Sequence, residues 1–267
     1  MILFHYTSLA AAINIVTTRT LWASSIHHLN DGTEFRIGYD LLRSEIDRIA
    51  PDDKRLAAFT DAVRFALVST QQVNVFVGSF SENGDLLSQW RSYCPPGKGV
   101  SIGFDSADLA GSAVAQDFEL VKCIYDPEEQ HETVRTTLHA VTSNYQPTSN
   151  EDGGRPLLNA FQFIHEFVRV AARLKHPTFG EEQEWRVISG VGEWKHPQVT
   201  YREGRSTIVP YFEFKLPMAE DKLKTDSFIL GPTPHTQLSM NSLLALIHAR
   251  DVKTNILRPS GVPFRAW

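Results

Sequence analysis

The sequence predicts an α+β fold in one compact domain, 1–267, with mainly antiparallel sheets and flanking helices. Three observations lead there. Strand-like and helix-like segments interleave without the regular alternation of a parallel sheet. The last third is rich in short strands, and no stretch has the composition of a linker. Finally, 267 residues with 42% hydrophobic side chains can bury a full core without disulfides or metal.

The elements follow in order. Ile2-Leu3-Phe4 reads as a strand running into His5-Tyr6-Thr7-Ser8, with Ser8 the N-cap of a helix whose buried face is Leu9, Ala12, Ile13 and Val16. Leu21-Trp22-Ala23 is a short strand. Asn30-Asp31-Gly32 is a turn, and Asp31 or Thr33 caps a helix marked by Phe35, Leu42, Ile46 and Ile49 and stopped at Pro51. Leu56, Phe59, Val63 and Leu67 mark another. Period-two alternation makes Val73–Ser81 a strand. A short helix at Leu86–Tyr93 precedes strands at Val100–Phe104 and Phe118–Tyr125. Two helices, Pro127–Asn144 and Pro156–Leu174, flank a polar loop at 146–155, the candidate flexible insertion. Trp185–Gly190 is a strand, Val199–Arg202 and Ser206–Leu216 form a hairpin about Glu203-Gly204, and Ser227–Leu230 is a short strand. A helix at Gln237–His248 and a strand at Asn255–Leu257 follow.

Charge and composition exclude several classes. The net charge of −5 lacks the global basic footprint of a nucleic-acid binder, although a local patch remains open. Two cysteines, Cys94 and Cys123, make no disulfide framework and fit a reducing compartment. The first residues carry no cation ahead of their apolar stretch, and no run approaches the ~18 apolar residues of a membrane span. The expectation is a soluble, cytoplasmic protein with no membrane partner. There is no phosphate loop, no G-x-G-x-x-G after the first strand and no G-x-S-x-G elbow. His131-Glu132 lacks the second histidine of a zinc motif, because position 135 is Arg135, so no metal is expected.

Three segments place polar groups at strand ends: Phe4-His5-Tyr6-Thr7-Ser8, Gly78-Ser79-Phe80-Ser81-Glu82 and Glu182-Gln183-Glu184-Trp185-Arg186. On strands, Ser79 and Ser81 share a face, as do Glu182 and Glu184. Each segment has an ordinary structural reading: a satisfied histidine, turn chemistry at Ser-x-Ser, and an ion pair at Glu184 and Arg186. Trp22, Trp90 and Trp185 read as packing residues.

Together with Thr20-Leu21-Trp22-Ala23, Leu29-Asn30-Asp31 with Glu34, Trp90, Tyr93, Gly99 and Ile102-Gly103-Phe104-Asp105, these segments resemble the bacterial family called domain of unknown function 2971. Their order is more remotely similar to ADP-ribosyltransferases. That resemblance implies an ADP-ribosyltransferase-like fold and NAD as substrate. His5 would then donate to the adenosine ribose, and the Tyr6 backbone would bond the nicotinamide amide. Ser79 and Ser81 would position the nicotinamide ribose, and Tyr93 would stack on nicotinamide. Glu184 would be the catalytic carboxylate, accepting from the ribose 2′-hydroxyl, and Glu182 would orient or deprotonate the acceptor. The chain combines a His-type first motif with the Ser-x-Ser and Glu-x-Glu of an Arg-type scheme. Arg91, Lys98 and Arg186 are the cations nearest these motifs, any of which could meet the pyrophosphate.

The reading that follows is an NAD-dependent ADP-ribosyltransferase acting on a macromolecular acceptor, protein or nucleic acid, as a toxin or phage-defence effector with an antitoxin or regulator. The alternatives are a nucleotide-binding module that transfers nothing and a plain interaction protein.

Overall fold

The computed structural model describes residues 1–29, 34–49, 56–69, 74–143, 145, 155–190, 196–204 and 206–264. The opening apolar run forms β1 (Ile2–Ser8), and Ser8 Oγ accepts from Ala11 N at 3.1 Å to cap α1 (Leu9–Thr18). Next come β2 (Thr20–Ser25), α2 (Glu34–Ile49), α3 (Ala57–Ser69), β3 (Phe76–Ser81), α4 (Leu87–Tyr93) and β4 (Gly99–Asp105). The sequence reading misses α5 (Ser106–Val114). Its composition of small residues buries only Leu109 and Ala113, too few to show a periodicity, yet Asp105 Oδ1 caps it from Ala107 N at 2.8 Å. The chain continues through β5 (Phe118–Lys122), α6 (Pro127–Thr142), α7 (Arg155–Ala171) and β6 (Glu184–Ser189). It closes with β7 (Val199–Glu203), β8 (Ile208–Lys215), β9 (Met218–Ala219), β10 (Lys222–Leu223), β11 (Ser227–Leu230), α8 (Thr236–Ala249) and β12 (Ile256–Pro259). The turn expected at 30–32 with its caps Asp31 and Thr33, Pro51, Val73 and the loop at 146–154 lie outside the described residues.

Among the described residues, one sheet runs β12-β11-β4-β1-β3-β2-β8-β7, with β6 on β3 and β5 on β6. Its pairs are antiparallel except β11 with β12. A separate two-stranded ladder joins β9 and β10. The fold is thus the mixed, mainly antiparallel α+β arrangement expected.

β3 is the branch point. Along one edge it pairs with β6 from Val77↔Ile188 to Ser81↔Glu184. Its other edge meets two strands in turn, β1 at Phe4↔Ser81 and β2 at Ser24↔Val77 and Ser25↔Phe76. Alternation along β3 and β6 sends Phe76, Phe80 and Val187 to one face and Val77 and Ile188 to the other. The first face joins a core with Ala12, Ile15 and Val16 of α1, Leu109 of α5 and Leu243 of α8. The second lies against Leu42 of α2, Phe59 and Val63 of α3, Leu138 of α6 and Phe167 of α7. One helical face differs from expectation. Ile13 is 51% exposed and Ile15 is buried, because α1 turns its Ala11–Asn14–Ile15 side toward a cleft rather than burying the full stripe.

Candidate functional site: a cleft where the sheet divides

The cleft arises from the way β1 and β2 leave β3. Leu9 N donates to Lys98 O at 2.9 Å and Ser106 N to Met1 O at 2.9 Å, extending the β1–β4 ladder. By the alternation of antiparallel rungs, Tyr6 then turns its backbone N–H and C=O away from β4, toward β3. The next rung after Phe4↔Ser81 would join Tyr6 to Ser79, but the ladder ends with Phe4. β2 likewise stops at Val77, leaving the edge of β3 around Gly78 and Ser79 open. Gly78 permits the close approach here: a Cβ would lie 2.9 Å from both Leu21 Cδ2 and Val187 Cγ2.

The resulting cavity, about 690 Å³, falls in the ~300–1,000 Å³ range of small-molecule sites. His5, Tyr6, Ser79, Tyr93, Glu182, Glu184 and Arg186 all line it. Of the expected site residues only Ser81 does not. It is buried, its Oγ accepts from Asn83 N at 3.2 Å, and it borders a smaller adjoining cavity. Ser81 therefore performs turn chemistry.

His5 takes the place of the missing rung: its Nδ1 lies 2.9 Å from Ser79 O. A carbonyl oxygen only accepts, so Nδ1 carries the proton and, in the neutral ring, Nε2 is an acceptor. Burial lowers the His5 pKa below the ordinary imidazole value, against the opposing pull of the Ser79 hydrogen bond. Near neutral pH, then, His5 is a neutral ring whose Nε2 can accept a hydrogen bond.

At one end of the cleft stands a buried tetrad. Lys175 Nζ lies 2.5 Å from both Glu182 Oε2 and Glu184 Oε2. Arg186 donates to Glu184 through Nε at 2.8 Å and Nη2 at 3.1 Å, and to Ala172 O through Nη1 at 2.8 Å. Burial alone would raise the Glu184 pKa; the charges of Arg186 and Lys175 and their hydrogen bonds outweigh it and hold it at about 2. Glu182 keeps one oxygen less engaged, Oε1, which meets the Tyr93 hydroxyl at 3.3 Å.

The shared face expected of Glu182 and Glu184 has a different origin. Glu182 closes a 3₁₀ helix, Pro177–Glu182, and Gln183 is left-handed (φ 42°, ψ 52°) before β6 begins at Glu184. Strand spacing does not align the two carboxylates; the reversal at Gln183 and the common Lys175 do.

The remaining assignments sort by partner. The Tyr6 hydroxyl donates to Asn83 O at 2.8 Å and accepts from Leu86 N at 2.9 Å, so only its backbone faces the cleft as a polar group. Arg186 is committed to Glu184 and Ala172, which removes it from the pyrophosphate candidates. Arg91 lies over Phe264 (4.8 Å) and Lys98 is exposed; neither lines the cleft. Sequence reasoning missed Lys175, His28 and Arg202, all lining the cavity, and read Trp22 as packing although it is part of the wall. A lysine after an apolar helix gives no local sign of its burial. Arg202 meets Ser24 across 178 residues. No group of three or more metal-ligating side chains occurs among the described residues.

The fold is therefore that of a divided, mainly antiparallel sheet with a polar cleft at the division. Residues 89–187 match the family described as a protein of unknown function (DUF2971), which supports the family resemblance over that stretch. The stretch includes Tyr93, Lys175, Glu182, Glu184 and Arg186 and excludes the His5 and Ser79 segments. No curated protein and no solved structure matches the chain. No helix among the described residues is long and apolar enough to cross a membrane.

Proposed function

We propose that the cleft binds NAD and transfers its ADP-ribose to a macromolecular acceptor, with Glu182 beside the reacting ribose. The carrying observation is the convergence of His5, the open Tyr6 backbone, Ser79, Tyr93 and Glu182 on one cavity of dinucleotide scale. His5 Nε2 accepts from a ribose hydroxyl, and the Tyr6 backbone bonds the carboxamide. In the transfer, the C1′–N bond breaks and its electron pair leaves with nicotinamide. The acceptor's nucleophile bonds C1′, and its proton passes to Glu182. A carboxylate fixed near C1′ stabilises the developing positive charge more than the ground state. Glu182 suits this better than Glu184, whose charge is compensated on both oxygens; Glu184 holds Lys175 and Arg186 in place.

The neutral balance of two carboxylates against two cations favours a second reading, a module that holds the nucleotide and transfers nothing. Nicotinamide release from NAD, with and without cell lysate, separates the two. Release by the wild type that falls about a hundredfold in Glu182→Gln, while the variant still binds NAD, is the expected result. Binding of NAD without release under either condition leaves the module.

A further inference from the structure

The opposite end of the cleft carries positive charge that no carboxylate among the described residues balances. Arg202 reaches in from β7, and its Nη2 donates to Ser24 Oγ at 3.1 Å. Its guanidinium carbon lies 5.7 Å from the centre of the Trp22 ring, itself 4.8 Å from Tyr211. Arg202 Nε is buried without a hydrogen-bond partner, and Arg202 pairs with no carboxylate among the described residues. His28 stands on the same wall, with Nδ1 buried and unpartnered. Burial first, and then the charges of His27 and Arg202, hold its imidazole below the ordinary range.

Buried polar groups are normally satisfied, and an orphaned charged donor is costly. Both nitrogens are sealed from solvent, so a ligand meets Arg202 through the rest of its guanidinium, which lines the cavity with no carboxylate beside it among the described residues. The surplus of positive charge makes that ligand anionic, and the planar fork of a guanidinium fits phosphate oxygens better than a point charge does. Ser24 Oγ accepts from Arg202, so its own O–H remains a donor to the same anion.

We infer that Arg202, with Ser24 and His28 beside it, seats the phosphate of a nucleotide diphosphate ligand, Trp22 flanking it. That this diphosphate belongs to NAD rests on the function proposed above; the recognition of phosphate does not. The arrangement also orients the ligand, phosphate toward Arg202 and reacting ribose toward Glu182.

Calorimetric titration of the full chain with ADP-ribose, ADP and nicotinamide riboside, which carries no phosphate, tests the inference. ADP and ADP-ribose should bind the wild type and lose about tenfold to a hundredfold in Arg202→Gln, with Arg202→Lys between them. Nicotinamide riboside should not distinguish the variants. A melting temperature within about 2 °C of wild type would show the fold intact, because the Arg202 side chain makes a single hydrogen bond among the described residues, from an edge strand. Equal affinity of wild type and Arg202→Gln for ADP and ADP-ribose overturns the inference, as does a wild type that binds neither. Nicotinamide release keeps the two ideas apart. Arg202-dependent binding without release retains the phosphate seat and removes the transfer. Release with an unchanged KM for NAD in Arg202→Gln retains the transfer and removes the seat.

Discussion

The two ends of the cleft hold similar side chains to opposite effect. At the tetrad, Lys175 and Arg186 are buried, and carboxylates occupy them at 2.5–3.1 Å. At the far end, Arg202 is half-buried, touches a serine hydroxyl and leaves Nε unmatched. A charge answered by protein charges holds the fold; a charge left without an acceptor is available to a ligand. Burial by itself does not tell the two apart, whereas the inventory of partners does.

The largest expected effect breaks the tetrad. Glu184→Gln leaves buried Arg186 facing a neutral side chain and should cost about 3–5 kcal/mol in a denaturant titration. A loss below about 1 kcal/mol would show that the tetrad does not hold the fold. Because of this cost, lost activity in Glu184→Gln would not by itself identify a catalytic group. Glu182→Gln is the sharper probe: an approximately hundredfold fall in nicotinamide release is about 2.7 kcal/mol at the transition state.

Acid provides the next test. The folded pKa of Glu184, about 2, lies below its ordinary 4.5, so the unfolded chain takes up the proton first as pH falls. The stability from this pairing is complete above pH 4.5 and is lost between there and about pH 2. Melting temperatures should fall across that window. A wild-type curve parallel to that of Glu184→Gln would count against the pairing.

His5 should matter less. His5→Ala should cost about 1 kcal/mol, since water in the open cleft can take the bond to Ser79 O. Its lowered pKa works in the same direction as that of Glu184: the neutral ring's contribution is full above pH 6.5 and declines as pH drops through the folded pKa. Wild type should therefore gain stability over His5→Ala as pH rises to 6.5. The smallest effect belongs to Arg202→Gln, within about 0.5 kcal/mol of wild-type stability by the same titration. A larger loss would make Arg202 part of the scaffold and erase the contrast between the two ends.

Much of the fold was legible because its signals are local. The Ser8 cap, the α3 stripe of Phe59, Val63 and Leu67, and the Gly204 hairpin each depend on residues a few positions apart. The candidate site was half legible. His5, Ser79 and the two glutamates stood out as polar groups at strand ends, but their roles depend on neighbours that spacing does not reveal. Glu182 and Glu184 were paired for the wrong reason, since a left-handed Gln183 intervenes. Arg186 stood open between an ion pair with Glu184 and a pyrophosphate contact, because nothing local distinguishes an arginine awaiting an anion from one bound to Glu184; the structure shows the ion pair. The small-residue helix α5 left no periodic stripe to read.

By itself the sequence determined most of the elements, their mixed class and the polar segments at strand ends, because caps, turns and alternation act within about ten residues. Only the tertiary structure decided that β1 and β2 part along β3, which residues face the opening, and which charges are already matched. Those outcomes depend on strand register and on partners brought from distant parts of the chain. No pattern of neighbouring side chains encodes the distance between Arg202 and Ser24.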